Sequence, residues 1–180
     1  MACLATIGRN KVCRVKVGGL RAVYLGNGVD FQTGWGTIDG VVTSLPEANV
    51  YKYDLESQHG MGTYTCPAQS SPENHTIFYT PTVQMKLPYL TALDQDELTT
   101  IGQSNGFYVF AEDNNGNVWM VQDAQVTAGD DTSGTAMGDF SGYDITFSAN
   151  QKRKPYVLLG SGSAFGAFPD ITIVDGTQNS

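Results

Sequence analysis

The sequence predicts a mainly β fold: an antiparallel β-sandwich or barrel with one flanking α-helix over about residues 89–103. Three observations carry that expectation. The runs FYVFAED (107–113) and NVWMVQ (117–122) are β-branched and aromatic. They flank residues that tolerate positive φ, which is the signature of a hairpin. Turn residues then recur about every eight to twelve positions, the spacing of a sandwich or barrel. Finally, residues 89–103 stand out as the one stretch with apolar residues at helical spacing.

Taken in order, VCRVKV (12–17) and LRAVYL (20–25) flank Gly18 and Gly19 and read as a hairpin. TIDGVVTSL (37–45) and ANVYKYDL (48–55) carry short alternating apolar patches, Val50, Tyr51 and Tyr53 among them. TIFYTPTVQMKL (76–87) is a long β-rich run. Pro81 inside it has no N–H to give a ladder, so an edge or bulge is expected there. In YLTALDQDELTTIGQ (89–103), Leu90, Leu93, Leu98 and Ile101 form an apolar stripe opposite Asp94, Asp96 and Glu97. Thr91 or Asp94 suits its start, and Gly102 and Gly106 mark its end. GYDITFSA (142–149) reads as a further strand. Residues 1–154 are expected to form one sandwich domain with a basic N-terminal segment. Residues 155–180, two strand-like runs around a Gly/Ser/Ala/Phe linker, read as a C-terminal arm or extension.

Charge is segregated along the chain. Arg9, Lys11, Arg14, Lys16 and Arg21 lie in the first 21 residues, which hold no acid. Lys152, Arg153 and Lys154 form a second basic cluster, and between the two clusters only Lys52 and Lys86 face sixteen carboxylates. A nucleic-acid binder spreads basic residues over its body. A basic end and an acidic body suit a subunit that associates with itself. Cys3, Cys13 and Cys66 are odd in number and lack C-x-x-C spacing, so reduced thiols are expected. No apolar run approaches the roughly 20 residues of a membrane span. The N-terminus has its basic residues after its short apolar stretch, the reverse of a secretory signal; synthesis and folding in the cytoplasm are expected.

Motifs with chemical potential lack their context. Gly102-Gln-Ser104-Asn-Gly106 fits G-x-S-x-G, but a nucleophile elbow needs a strand before it and a helix after it. Here the helix comes first, and His59 and His75 both lie upstream. Gly160-Ser-Gly162 has its third glycine one place too late for a dinucleotide loop. Asp113-Asn-Asn115-Gly-Asn117 opens like a calcium loop, yet Gln122 and no glutamate stands six residues after its glycine. Asp130, Asp131 and Asp139 form an acidic loop that reads as solvated. His59, Cys66 and His75 match no zinc spacing. Asn74-His-Thr76 fits a glycosylation pattern that needs the secretory route. No catalytic set, metal or cofactor is expected.

The order of the 107–122 hairpin, T-x-G-x-x-x-x-G-T-A-M-G-D (127–139) and GYDITFS (142–148) resembles a family of bacteriophage tail tube proteins, notably from phages of Bacteroidota. CRVKVGGLRAVYLGN (13–27), VYKYDLESQHGMGTYTCP (50–67) and ENHTIFYTPTVQMKL (73–87) are similar to that family too, so the likeness spans residues 13–150. The resemblance implies a virion protein, made in the host bacterial cytoplasm, whose copies form hexameric rings stacked into a tube. Each subunit would give strands to a continuous barrel around the channel for genome ejection. Its partners would be itself, other tail and neck proteins, and DNA that passes through without specific binding; no membrane is involved. On this reading Arg9, Lys11, Arg14, Lys16 and Arg21 are candidate inter-subunit contacts. Asp39, Glu47, Asp54 and Glu56 are candidate lumen-facing acids, because a channel for DNA must repel phosphate. Lys52 and Lys86 are expected to turn outward or be paired. The alternative is a virion decoration or receptor/carbohydrate-binding β-sandwich, with Trp35 and Trp119 as aromatic platforms.

Overall fold

In the computed structural model the described residues are 17–55, 61–88, 92–104, 106–158 and 164–176, with backbone alone at 92–94. The fold is mainly β, a curled mixed sheet forming a half-barrel with one helix. The first strands are β1 (Leu20–Asn27), β2 (Gly36–Ile38), β3 (Val41–Ser44), β4 (Ala48–Asp54) and β5 (Gly62–Thr65). They are followed by β6 (Ala68–Ser71), β7 (Thr76–Tyr79), β8 (Thr82–Pro88) and the helix α1 (Ala92–Gln103). The remainder are β9 (Phe107–Asp113), β10 (Val118–Thr132), β11 (Gly142–Ser148), β12 (Tyr156–Leu158) and β13 (Ile171–Asp175).

The main sheet runs β13-β4-β1-β9-β10-β11-β8-β5, with β12 joining β10 to β3 and β2 pairing β3. It works as two layers that share β10. Around Val118–Val121 this strand pairs with β9 and β12 in the first layer; from Gln125 to Thr132 it pairs with β11 in the second. The β9 register shifts between Val121 and Ala124, and Asp123 adopts φ 52°. Such a bulge bends a strand and raises its twist, which redirects β10 from one layer to the other.

Burial explains the sequence of the central strands. Val23, Leu25, Val109, Ala111 and Val121 face an inner core shared with Val83, Met85, Ile145 and Phe147 of the second layer. Their neighbours Ala22, Tyr24, Phe110 and Met120 face a second core with Phe31, Val42, Val50, Phe165 and Phe168. A strand covered on both faces reads as a continuous apolar run, and β1 and β9 do. At the open end of the curl β5 meets β1. A Cβ at Gly62 would lie 2.5 Å from Leu55 Cδ1 and 3.0 Å from Leu20 Cβ, so only glycine fits.

The helix is where the apolar spacing predicts it. Ile101 is buried and Leu98 packs against the same inner core, while Tyr53 donates a 2.8 Å hydrogen bond to Glu97. Asp94 falls in its first turn; Leu90 and Thr91, and the side chain of Leu93, are outside the described part. The hairpin expected around Gly18 and Gly19 is seen from one side only, as β1, because residues 12–16 lie outside it. Pro81 falls between strands, dividing the long run into β7 and β8. Its carbonyl accepts the Ala149 N–H at 3.2 Å. β7 pairs with β6 and, through one antiparallel bridge at Tyr79, with Gln151, and this two-stranded hairpin exposes Ile77 and Phe78.

The sheet is not wholly antiparallel: β12–β3 and β13–β4 are parallel pairs. Both come from the stretch expected to be an arm or extension. Between them Phe165 packs edge-on against Tyr24 and Phe110, each at 5.1 Å between centroids. The C-terminal residues thus cover the second face of the first layer.

Candidate functional site

The second layer presents one face to solvent, and its composition follows from strand alternation. Register aligns Gln125, Ser148, Thr82 and Thr65 in one cross-strand row. Ala128, Thr146, Gln84 and Thr63 form the next, followed by Asp130, Asp144 and Lys86. The intervening rows, Val126-Phe147-Val83-Tyr64 and Gly129-Ile145-Met85-Gly62, point into the core. The result is a hydroxyl- and amide-rich surface carrying two carboxylates and one ammonium in these rows.

That single ammonium is engaged. Lys86 Nζ lies 3.5 Å from Asp144 Oδ2, and Gln84 Nε2 donates to both oxygens of the same carboxylate at 2.8 and 3.0 Å. Thr82 and Ser148 hydroxyls lie 3.4 Å apart across the strands. Lys86 also sits 5.7 Å from the centre of the Phe140 ring. The side chain is therefore tied down by a carboxylate in the sheet rather than held out to grip an anion.

Among the described residues neither border of this face pairs with a further strand. From Val126 to Thr132, β10 pairs with β11 on one side, its β9 pairing having ended at Ala124. On the far border β5 pairs with β8 alone, and its first residue abuts Leu20 of β1. Such borders present unpaired N–H and C=O groups and template pairing with another chain.

The candidates picked from sequence are dispersed. Asp39 sits with Gly40 in the two-residue turn between β2 and β3, both at positive φ. Glu47 is exposed ahead of β4, and Asp54 ends that strand roughly 20 Å further on. Asp54 binds Lys52 at 2.9 Å, and Asp175 of β13 approaches the same ammonium at 3.6 Å. The hydrogen bond to Asp54 holds the Lys52 pKa above its ordinary value. So both body lysines are paired, but Asp39, Glu47 and Asp54 belong to the first layer and do not share the polar face. Glu56 lies outside the described residues, as do Arg9, Lys11, Arg14 and Lys16. Arg21 is exposed and reaches the buried Glu112 at 3.9 Å, a partner far away in sequence.

The other motifs take structural roles. Asp113 closes the β9–β10 turn: its carboxylate accepts the N–H groups of Asn115 and Asn117 at 2.8 and 2.7 Å and both their side-chain amides. Burial pushes its pKa up, but these hydrogen bonds outweigh it and hold the group below the usual carboxylate value. Asp139 accepts the N–H groups of Thr135 and Ala136, which lowers its pKa too. Ser104 follows the end of α1. His75 is exposed at φ 52°, and His59 is outside the described part. Among the described residues no group of three or more His, Cys, Asp or Glu side chains can hold a metal. No described helix is long and apolar enough to cross a membrane. Trp119 stacks on Tyr64 at 4.7 Å, and Trp35 packs edge-on against Tyr156.

No protein-family model matches the chain, and a search of curated proteins returns no match.

Proposed function

We propose that this protein is a ring-forming structural subunit of a bacteriophage tail tube, with the polar face of β5, β8, β11 and β10 as its channel wall. The observation that carries the reading is the combination of that face with two borders that pair with no further strand among the described residues. Side-by-side copies extend such a sheet, β10 of one beside β5 of the next, and a closed ring leaves no edge exposed. The face supports passage of DNA because each phosphate contact strengthens binding and adds to its salt dependence. Here Lys86 is already neutralised by Asp144, and hydroxyls and amides make up most of the remainder.

The family resemblance in sequence points the same way. The charge pattern of the sequence suggested Asp39, Glu47, Asp54 and Glu56 as the wall; the rows of the second layer make a better one, because they form a continuous face. For the alternative, a carbohydrate-binding module, the tryptophans would have to offer open platforms, and both rings are half-buried against tyrosines.

Sedimentation velocity and negative-stain images of the purified chain test the proposal. Rings or tubes are expected at high concentration, with duplex DNA bound weakly if at all. A strict monomer at every salt and protein concentration, or tight salt-sensitive binding of duplex DNA, contradicts it.

A further inference from the structure

We propose that the cleft between the β1–β2 loop, the end of α1 and the β10 bulge binds a neutral polyhydroxylated ligand, a mono- or disaccharide. The inference is independent of the ring reading. The cleft is lined by one copy and shares no residue with the rows of the polar face.

Close backbone approach builds the cleft. Its volume is about 510 Å³, within the roughly 300–1,000 Å³ of small-ligand sites. The Asp30 N–H donates to the Asn27 carbonyl at 3.1 Å and folds the β1–β2 loop back on itself. A Cβ at Gly28 would overlap the Gly106 carbonyl oxygen, and one at Gly106 would lie 2.7 Å from Asp123 Oδ1. Gly106 and Asp123 both hold positive φ, 84° and 52°. Two glycines thus let the three segments meet. A non-glycine residue held in that backbone region, as Asp123 is, is a feature that clusters at ligand sites.

The chemistry of the lining selects the ligand. Asn27, Asp30, Gln32, Ser104, Tyr108 and Asp123 line the cleft, and among the described residues no Lys or Arg does. The cleft also lies at the C-terminal end of α1, whose last turn holds no basic residue and whose final carbonyls lack intrahelical partners. An anion would meet two carboxylates and the negative end of a helix. A lone cation would suit the carboxylates but leave the amide N–H donors of Asn27 and Gln32 idle. Sugar hydroxyls serve both, donating to a carboxylate and accepting from an amide. Neither Asp30 nor Asp123 is ion-paired among the described residues, so both are available. Tyr108, backed by Phe31 at 5.3 Å between ring centroids, adds an aromatic wall for the C–H face of a sugar ring. The site uses neither tryptophan.

Saturation-transfer NMR and calorimetric titration of the full chain test the assignment. The probes are glucose, galactose, mannose and N-acetylglucosamine, with spermidine, calcium and inorganic phosphate as charged comparisons. At least one sugar is expected to bind at millimolar concentration. Asp123→Gly, which keeps the backbone of the bulge, and Asp30→Ala, at an exposed loop position, should each weaken it roughly tenfold or more. Glu47→Gln, outside the cleft, should leave it unchanged. Melting temperatures establish that the variants are folded, and Asp30→Ala decides the matter should Asp123→Gly melt early. Binding of no sugar in the panel, sugar binding that survives both cleft substitutions, or a response to the charged probes alone overturns the proposal and leaves the ring reading standing.

Discussion

At the scale of single residues, the polar groups that sit in or beside the core decide the outcome of substitution. Tyr24 donates a 2.8 Å hydrogen bond to Glu112, a carboxylate with only 5% of its surface exposed. Burial, and then that hydrogen bond, raises the phenol's pKa well above its ordinary value. Tyr24→Phe keeps the ring contact with Phe165 but strips Glu112 Oε2 of its donor. The expected cost is about 1–3 kcal/mol in urea unfolding at neutral pH; an unchanged midpoint contradicts this account. Asp113 gives a pH signature. Its folded pKa is depressed, so its contribution is complete above the unfolded carboxylate value of about 3.9 and is lost as pH falls through the lower folded value. Asp113→Ala should therefore destabilise more at neutral pH than at about pH 3, below the unfolded carboxylate value. Equal losses at both pH values would show that the turn does not rely on the charge.

At the scale of elements, what is legible in the sequence is what local chemistry determines. The β9–β10 hairpin is readable because β9, the turn and the first part of β10 lie within sixteen consecutive residues, 107–122. The helix is readable from Leu98 and Ile101 with their acidic opposite side. The breadth of β10 is not: Gln122 and Asp123 look like a strand end, yet they form the bulge through which a 15-residue strand changes layers. Nor are the parallel partners of β12 and β13, which depend on chain far away. The polar face leaves a signal that acidity alone conceals, the alternation in TVQMK and DITFS; the register that sets Lys86 opposite Asp144 supplies the rest. Two tests belong here. Asp123→Val should cost about 1–2 kcal/mol because a β-branched residue resists positive φ, while Asp123→Gly should not destabilise; equal effects would mean that the bulge is not constrained by its backbone. Asp144→Asn frees Lys86 from its counter-charge. The assembled variant should bind duplex DNA more tightly, with a log–log salt slope steeper by about 0.9 for each additional phosphate neutralised. Unchanged DNA affinity in an assembled particle would place Lys86 away from the DNA path.

At the scale of the whole molecule, the second layer is a sheet with a core on one side, a polar surface on the other and an open border at each end. Charge is segregated along the sequence as well, a basic N-terminal stretch ahead of an acidic body. Open borders invite uncontrolled pairing unless they are covered, and on the proposed reading both features suit a closed ring. The central claim is that the polar face lines a channel, and a reconstruction of the assembled particle by electron microscopy tests it most directly. Gln84, Asp144 and Thr146 should line the inner wall, with β10 of each copy beside β5 of the next and Lys86 still paired. A particle that places these side chains on its outer surface, or an inner wall that is net positive, would contradict the account.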